Sequence, residues 1–278
     1  MPEHTLLQHV GLTCRRVRDT LGFYREVFDL PLGHIWGRKG KVYLLHLGDN
    51  SYLEINEEED AHAEVTEGPW SHICLKTADI EDTYRRALAA GAQSVHAAYL
   101  CSTEGSVPRA PACYMAAVKG LEGESIGLIQ ELGVPAERDV TRMHHIGIHT
   151  PDVHGLADFY KRALGLNVGR YWQGAQPSCM IDLGGNCFLE VNPGTPYAGS
   201  AKGYWAHVAL KSVDPEVGYA RAMSAGAADI HPCFLCDVVE AQPKPVQWRS
   251  ASFKGPEGEA VSLMDDLAPG VWEAPPVP

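Results

Sequence analysis

Two histidines and one glutamate recur at matching positions in the two halves of the chain. These residues are His9, Glu54 and His72 in the first half, and His145, Glu190 and His207 in the second. The first two members are 45 residues apart in both halves, and the first and third are 63 and 62 residues apart. Two imidazoles and one carboxylate are ligands that a divalent transition metal prefers. Because a duplicated core alone would not need these residue types here, the repeat predicts metal-binding sets.

The repeat extends well beyond these ligands, and it divides each half into two similar quarters. Each quarter reads as a strand, then an amphipathic helix, then further strands. Residues 153–169 match residues 17–33 at an offset of 136, and residues 214–227 match residues 79–92 at an offset of 135. The chain is therefore predicted to be built from four copies of one supersecondary unit.

The quarters group into two modules. We predict the first module at residues 1–132 and the second at residues 143–267. The segment 133–142 is polar, contains a proline and is the natural linker, whereas 268–278 is a proline-rich tail. A chain of 278 residues is long enough for both modules to bury a core of their own.

Strand alternation predicts which way the ligands face. In the segment SYLEIN, Tyr52, Glu54 and Asn56 share one side of the strand, while Leu53 and Ile55 share the other. The histidines are likewise opposite apolar neighbours. We therefore expect the apolar side to pack on the helices and the His, Glu and His side chains to lie on the accessible face of the sheet.

Composition narrows the class of partner and the compartment. The formal net charge of −12 argues against a nucleic-acid partner, which needs clustered Lys and Arg. No apolar run approaches the ~20 residues that span a bilayer, so no membrane partner is predicted. The N-terminus lacks the basic and apolar pattern of a signal peptide, and the eight scattered cysteines are typical of a reducing compartment. We expect a cytoplasmic protein.

The motifs that carry the ligands resemble those of the vicinal oxygen chelate superfamily, which includes glyoxalase I, bleomycin resistance proteins and extradiol dioxygenases. In the first half these are QHVGLT with FYREVF, YLEIN, SHICLKT and KGLEGESIGLIQEL. Their counterparts in the second half are HHIGIHT with FYKRAL, FLEVN, AHVALKS and KGPEGEAVSLMDD. The resemblance covers nearly the whole chain, about residues 6–132 and 143–267.

This resemblance implies an α+β fold of tandem βαβββ modules, four repeats in all, that form curved mixed sheets with helices on the convex side. It also implies that His9, Glu54 and His72, with His145, Glu190 and His207, are the metal ligands. Two groupings are open. Either His9 and Glu54 meet His72 within one module, or they meet His207 across the module boundary, as in fused glyoxalases.

The chain departs from the glyoxalase pattern at the fourth ligand. Glyoxalase-like members carry a glutamate in the last strand of the module, but the matching positions here are Gly127 and Ser262. Three ligands leave coordination positions open for water or substrate, as a catalytic site requires. We expect the two small residues to leave room for a substrate that chelates the ion through two oxygens.

The predicted cofactor is a divalent ion, which the donor set allows to be Fe, Mn, Ni, Co or Zn. Besides Glu54 and Glu190, His149 is predicted to be catalytic, as an acid or base on the same strand face as His145. Arg109, Lys244 and Arg249 are candidates for contact with an anionic substrate. The predicted partner is a small-molecule substrate, and a homodimer is left open.

Three functions fit the sequence. The first is a metal-dependent isomerase or lyase of the glyoxalase type, which acts on a small oxygenated metabolite. The second is an iron-dependent dioxygenase of the extradiol type, whose ligand set, however, uses the last-strand glutamate that this chain lacks. The third is a resistance protein that binds a small molecule without catalysis.

We predict that protein purified without an affinity tag contains a divalent metal. Replacing Glu54 and Glu190 together by Gln removes an anionic ligand from each set, so metal affinity should fall about tenfold or more. Elemental analysis of the dialysed proteins measures this. A double variant that retains metal like the wild type, or a wild type without metal, contradicts the ligand assignment.

Overall fold

The computed structural model describes residues 5–37, 41–58, 64–133, 141–173, 177–195, 197 and 202–265. In these ranges the chain forms four helices and 19 strands, the α+β composition that was predicted. Most of the predicted linker, and the entire predicted tail, lie outside the described residues. The proposed module boundaries therefore stay a prediction.

The helices are α1 (Val17–Phe28), α2 (Ile80–Ala89), α3 (Val153–Leu164) and α4 (Pro215–Ser224). The strands of the first half are β1 (Leu7–Cys14), β2 (Leu32–Trp36), β3 (Val42–His46), β4 (Tyr52–Glu57), β5 (Val65–Thr66), β6 (Trp70–Lys76), β7 (Gln93–Cys101), β8 (Ser106–Val107), β9 (Cys113–Lys119) and β10 (Ser125–Glu131). The strands of the second half are β11 (Arg142–Thr150), β12 (Val168–Trp172), β13 (Ser178–Asp182), β14 (Phe188–Pro193), β15 (Lys202–Gly203), β16 (Trp205–Lys211), β17 (Ala228–Val238), β18 (Val246–Lys254) and β19 (Ala260–Met264).

The helices begin and end where their sequences provide caps. Asp79, Asp152 and Asp214 each accept a hydrogen bond from a backbone N–H in the first turn of α2, α3 and α4. The helices α1 and α3 end at equivalent residues, Asp29 and Gly165, in the left-handed conformation with φ of 55° and 73°. This conformation stops the helix and turns the chain back toward the sheet.

The strands form two curved sheets, and each sheet combines one quarter from each half of the chain. The first has the order β2-β3-β4-β1-β16-β19-β18-β17. The second has the order β12-β13-β14-β11-β6-β10-β9-β7. The two sheets meet where Trp70 of β6 pairs with Trp205 of β16. The central seam of each sheet is therefore an antiparallel pairing between the halves.

The main core lies between the sheets and the helices. Leu53 and Ile55 of β4 are fully buried in it beside Tyr24 and Phe28 of α1, while Glu54 lies between them in sequence and points the other way. The alternation predicted for this strand is thus confirmed. Helices cover the apolar face of the sheets, and the opposite, concave face carries the predicted ligands.

Two stretches predicted to be irregular, 96–112 and 229–247, are partly strands. The strand β7 runs to Cys101, and β17 runs to Val238. Both strands are largely exposed, so their sequences lack the apolar alternation that marks a half-buried strand. After β7, the short strand β8 pairs with β12, and at the equivalent place Gln242 pairs with Ile35. These connections close each curved sheet.

The remaining sequence predictions about class concern cysteines and membranes. All eight cysteines are free thiols, including Cys233 and Cys236 of the lone CxxC motif. No helix of the described residues is long and apolar enough to cross a membrane.

A buried carboxylate fastens each helix of the opening quarters to a turn of the following quarter. Tyr160 of α3 donates a 2.8 Å hydrogen bond to Glu259, which also accepts one of 2.9 Å from the Glu257 backbone N–H. Tyr24 of α1 and Glu124 form the equivalent 2.9 Å bond. Glu259 is fully buried, and this burial raises its pKa to about 7 despite the hydrogen bonds that favour the carboxylate. The carboxyl group thus folds more readily as the neutral acid.

The pKa of Glu259 predicts a specific pH dependence of stability. Because the folded-state pKa is raised above the ordinary value of 4.5, the contribution of Glu259 is fully present below pH 4.5 and is lost as pH rises through about 7. A pKa change from 4.5 to about 7 corresponds to at most about 3 kcal/mol. Urea unfolding from pH 5 to pH 8 should show this loss in the wild type and a flatter profile in Glu259→Gln.

Glu216→Gln is the control, because Glu216 is exposed in the first turn of α4. Its profile should follow that of the wild type. The assignment to Glu259 is wrong if the Glu259→Gln profile keeps the wild-type slope between pH 5 and pH 8.

Candidate metal centres

The six predicted ligands come together as two sets of three, and each set draws on both halves of the chain. Site A consists of His9, Glu54 and His207, and site B consists of His72, His145 and Glu190. Of the two groupings that the sequence left open, the structure has the one in which His9 and Glu54 meet His207. His72 lies instead with the two ligands of the second half.

The ligand atoms of each site lie within a few ångströms of one another. In site A the Nε2 atoms of the two histidines are 2.8 Å apart, and they are 3.6 and 3.2 Å from Glu54 Oε2. In site B the corresponding distances are 3.1, 3.7 and 3.4 Å. Donors about 2.1 Å from a shared ion are roughly 3 Å apart, so both donor sets fit a divalent metal.

The strand register explains why ligands distant in sequence meet. In site A, Gly11 of β1 pairs with Glu54 of the parallel strand β4 and with His207 of the antiparallel strand β16. In site B, Gly147 of β11 pairs in the same way with Glu190 and His72. The third ligand of each site lies two residues before this glycine. One strand and its two neighbours therefore define each site.

The two glycines have a role that the sequence analysis did not assign. A Cβ at Gly11 would lie 2.4 Å from Cε1 of His207, and a Cβ at Gly147 would lie 2.0 Å from Cε1 of His72. The imidazole that crosses from the opposite half therefore occupies the space where a side chain would be. A glycine inside a strand often marks such a close approach, so HVGLT and HIGIH contained the signal.

Burial and charge prepare both sites for a cation at neutral pH. Burial lowers the pKa of His9 and of His145 to about 4, although the nearby carboxylates oppose the change. Both imidazoles are therefore neutral at pH 7 and can act as metal ligands. For Glu54, burial favours the neutral acid, but His9, His207 and Asn56 outweigh it and lower the pKa to about 2. The pKa of Glu190 is lowered in the same way by His145, His72 and Asn192.

Neighbouring side chains hold the ligands in orientation. The Nδ1 atom of His9 contacts Gln8 Oε1, and the Nδ1 atom of His145 lies 2.7 Å from Nδ1 of His144. A proton on Nδ1 of the ligand histidine leaves its Nε2 lone pair directed at the site. The Nδ1 atom of His72 lies 3.0 Å from Ser71 Oγ. Each of these partners precedes its ligand by one residue, a pattern visible in the sequence but not interpreted there.

The carboxylates are held by asparagines two residues further along the strand. Asn56 donates a 2.8 Å hydrogen bond to Glu54 Oε2, and Asn192 donates one of 2.6 Å to Glu190 Oε2. The same oxygen faces the two histidines in each site. This leaves Oε1 of each carboxylate outside these contacts.

The position of the missing fourth ligand is narrow. Gly127 pairs with Cys74 of β6, and a Cβ at Gly127 would lie 3.1 Å from Cys74 Sγ. At the equivalent place in the first sheet, Ser262 pairs with Ala209, and its Oγ is 2.9 Å from Ser252 Oγ. Cys74 also forms a possible ligand cluster with His144 and His145.

Two cavities flank site B. The larger, of about 710 Å³, contacts His72, His145 and Gly127. The smaller, of about 250 Å³, contacts His145, Glu190 and Arg170. The side chains of His72 and Glu190 are 24% and 20% exposed. A ligand bound at site B therefore has open space on two sides.

At site A, apolar side chains occupy the place equivalent to the smaller cavity. Trp36, Leu44 and Trp248 are the counterparts of Trp172, Met180 and Cys113 in the walls of that cavity. They belong to a cluster with Tyr52, Val246 and Met264, and the rings of Trp36 and Trp248 are 5.6 Å apart. The repeat therefore duplicates the ligands but not their surroundings.

The other candidate residues lie further from the ligands. His149 is exposed on the wall of the larger cavity, and four residues of strand separate its Cα from that of His145 by about 13 Å. Its catalytic role stays a prediction. Arg109 and Lys244 are exposed, and Arg249 forms a 2.6 Å ion pair with Asp265. None of these three cations contacts either cavity at site B.

The glycine contacts predict that each site can be disabled separately. In Gly147→Ala, the new methyl group displaces His72, so bound metal should fall from about two ions to about one per chain. Gly11→Ala should remove the other ion by displacing His207. Elemental analysis of each variant, with the double variant, measures the stoichiometry. If either single variant loses both ions or neither, the two sets are not independent metal sites.

Comparisons with known proteins agree with this geometry. Residues 6–98 match the family model described as the Glyoxalase/Bleomycin resistance protein/Dioxygenase superfamily. Comparison with curated proteins gave no match. Glyoxalase I from Zea mays is similar in structure, with 17% identity, a TM-score of 0.74 and coverage of 94% of this chain and 92% of that chain.

A putative dioxygenase from Bacillus subtilis is similar as well, with 10% identity, a TM-score of 0.68 and coverage of 97% of this chain and 87% of that chain. At these identities the structural likeness establishes the fold. The family predicted from the motifs is confirmed: the chain is a two-module protein of the glyoxalase, bleomycin resistance protein and dioxygenase superfamily, as the match over residues 6–98 and the shared fold show.

Proposed function

We propose that the chain is a metal-dependent enzyme that acts at site B on a small oxygenated metabolite, in an isomerase or lyase reaction of the glyoxalase type. The substrate chelates a divalent ion through two neighbouring oxygens. The ion is held by His72, His145 and Glu190.

The observation that carries this proposal is the combination of three converging ligand atoms with open space beside them. The Nε2 atoms of His72 and His145 and the Oε2 atom of Glu190 are 3.1 to 3.7 Å apart. Both cavities contact this site. Three protein ligands without a fourth leave room for a bidentate substrate.

A bound divalent ion would polarise a substrate carbonyl and stabilise the negative charge of an enediolate. The neutral imidazoles of His72 and His145 and the carboxylate of Glu190 leave such a site with net positive charge, which favours an oxygen anion of the substrate. Cys74 and Gly127 close the side where a further carboxylate would otherwise neutralise the ion.

Glu190 is proposed to move the proton. Its Oε2 faces the two histidines and Asn192, so Oε1 is free of these contacts and can accept a proton from the carbon next to the chelated carbonyl. The exposed His149 contacts the distal part of the substrate in the larger cavity. Site A, with its apolar surroundings, is proposed to hold its ion for stability.

The donor set also supports a second candidate, an iron-dependent dioxygenase. Two histidines and one carboxylate with open positions are the typical ligands of non-haem iron oxygenases. Oxygen consumption by iron-loaded protein with a catechol panel tests this reading. Binding of substrates without turnover or oxygen uptake would instead support a binding protein of the resistance type.

We expect Glu190→Gln and Glu54→Gln to differ in activity although they are equivalent in the repeat. Glu190→Gln removes both a ligand and the proton acceptor at site B, so turnover of hemithioacetals or α-hydroxy ketones should fall about 100-fold or more. Glu54→Gln should retain most of the wild-type activity. The measurement is the initial rate of each metal-loaded protein with a panel of these compounds.

The metal content of each variant is determined in parallel, because it separates loss of the ion from loss of the proton acceptor. Equal loss of activity in both variants contradicts the assignment to site B. A wild type that binds metal but turns over none of the panel contradicts the isomerase proposal.

A further inference from the structure

The smaller cavity at site B contains a cation that site A lacks. Arg170 of β12 is half-buried in its wall, and the same cavity contacts Glu190 and His145. The equivalent residue at site A is His34, which is fully buried. The metal ligands are therefore accompanied by a permanent positive charge only in the second sheet.

The guanidinium of Arg170 has no ion pair with any described residue. Its Nε donates a 3.2 Å hydrogen bond to the carbonyl oxygen of Pro108, which lies in the connection that closes the sheet. Its Cζ lies 6.0 Å from the ring centre of Trp172 and 5.8 Å from that of Phe188. These contacts fix the orientation of the guanidinium but leave its Nη donors available.

The nearby carboxylates already have other partners. Glu131, in the wall of the same cavity, is 3.8 Å from Lys76 Nζ, 3.9 Å from His144 Nε2 and 3.2 Å from Asn186 Nδ2. Glu190 is directed at the ligand histidines. A half-buried cation that faces a cavity without a counter-ion is a site for an anion.

We infer that Arg170 binds an anionic arm of the substrate, a carboxylate or a phosphate, while vicinal oxygens of the same molecule chelate the ion at site B. This inference rests on the proposed function and names its substrate class. The cavity of about 250 Å³ limits the arm, because a molecule of water occupies about 30 Å³ of liquid. The part of the substrate in this cavity therefore has on the order of ten non-hydrogen atoms.

The remaining walls of the cavity fit such an arm. Met115, Ile129 and Met180 give it an apolar side, and Ser102 and Ser178 add hydroxyl groups. The arm thus carries a short apolar linker between the chelating oxygens and the anion. The larger cavity on the other side of His145 is left for an uncharged or variable part of the substrate.

The test uses cobalt-loaded full-length protein and chelators that differ only at the end of their arm. The probes are succinomonohydroxamate, its methyl ester and phosphonoacetohydroxamate, whose hydroxamate group chelates the ion through two oxygens. Dissociation constants come from titration calorimetry and from the cobalt absorption spectrum. Glu54→Gln, in which the ion at site A is weakened, assigns the signal to site B.

The wild type should bind the acid about ten- to a hundredfold more tightly than the ester, since charge-assisted hydrogen bonds are of this strength. In Arg170→Gln this preference should disappear while the affinity for the ester and for cobalt stays the same. Arg170→Lys should keep part of the preference. Arg109→Gln, which changes an exposed arginine next to Pro108, should keep all of it.

The arms of the experiment distinguish the sources of failure. A preference for the phosphonate over the carboxylate identifies a phosphate-bearing substrate, and the reverse identifies a carboxylic acid. Equal binding of acid and ester by the wild type overturns the inference alone, as does loss of ester binding in Arg170→Gln. Protein that binds no cobalt overturns the proposed function, and the inference with it.

Discussion

The seam between the halves determines both the sheets and the sites. In each sheet an antiparallel strand pair joins the first half to the second, β1 with β16 and β6 with β11. The imidazole of His207 or His72 crosses this seam and lies over a glycine of the facing strand. Because strand register has a period of two, a slip of one residue would turn the ligands into the core. The ligand sets therefore exist only in this register.

Duplication gave the protein two ligand sets, but packing made them unequal. The walls of the smaller cavity at site B contain Arg170 and Cys113, whereas Trp248 and its apolar neighbours fill the equivalent place at site A. Apolar packing excludes water and ligands, while a cavity beside an open ion admits them. The same three donors can thus serve different ends, because the second layer of side chains decides access.

Much of the fold could be predicted from the sequence, because strand alternation and helix periodicity report on burial. Leu53 and Ile55 identified the core side of β4, and the ligand positions followed from it. The exposed strands β7 and β17 could not be predicted in full, since little burial patterns their residues. The partner of each histidine also stayed open, because the choice between His72 and His207 depends on strand pairing over more than 130 residues. Gly11 and Gly147 were visible, but only the register shows what lies above them.

The mixed origin of each ligand set has a consequence for how the protein comes apart. A metal ion that bridges β1 to β16, or β6 to β11, is a reversible cross-link between segments almost 200 or about 70 residues apart in the chain. Neither half can separate from the other, or unfold alone, without releasing both ions. Metal supply would then control the cooperativity of unfolding as well as chemistry, since an ion that binds only the assembled sheets stabilises both halves together. A chelator would act on this protein as a mild denaturant.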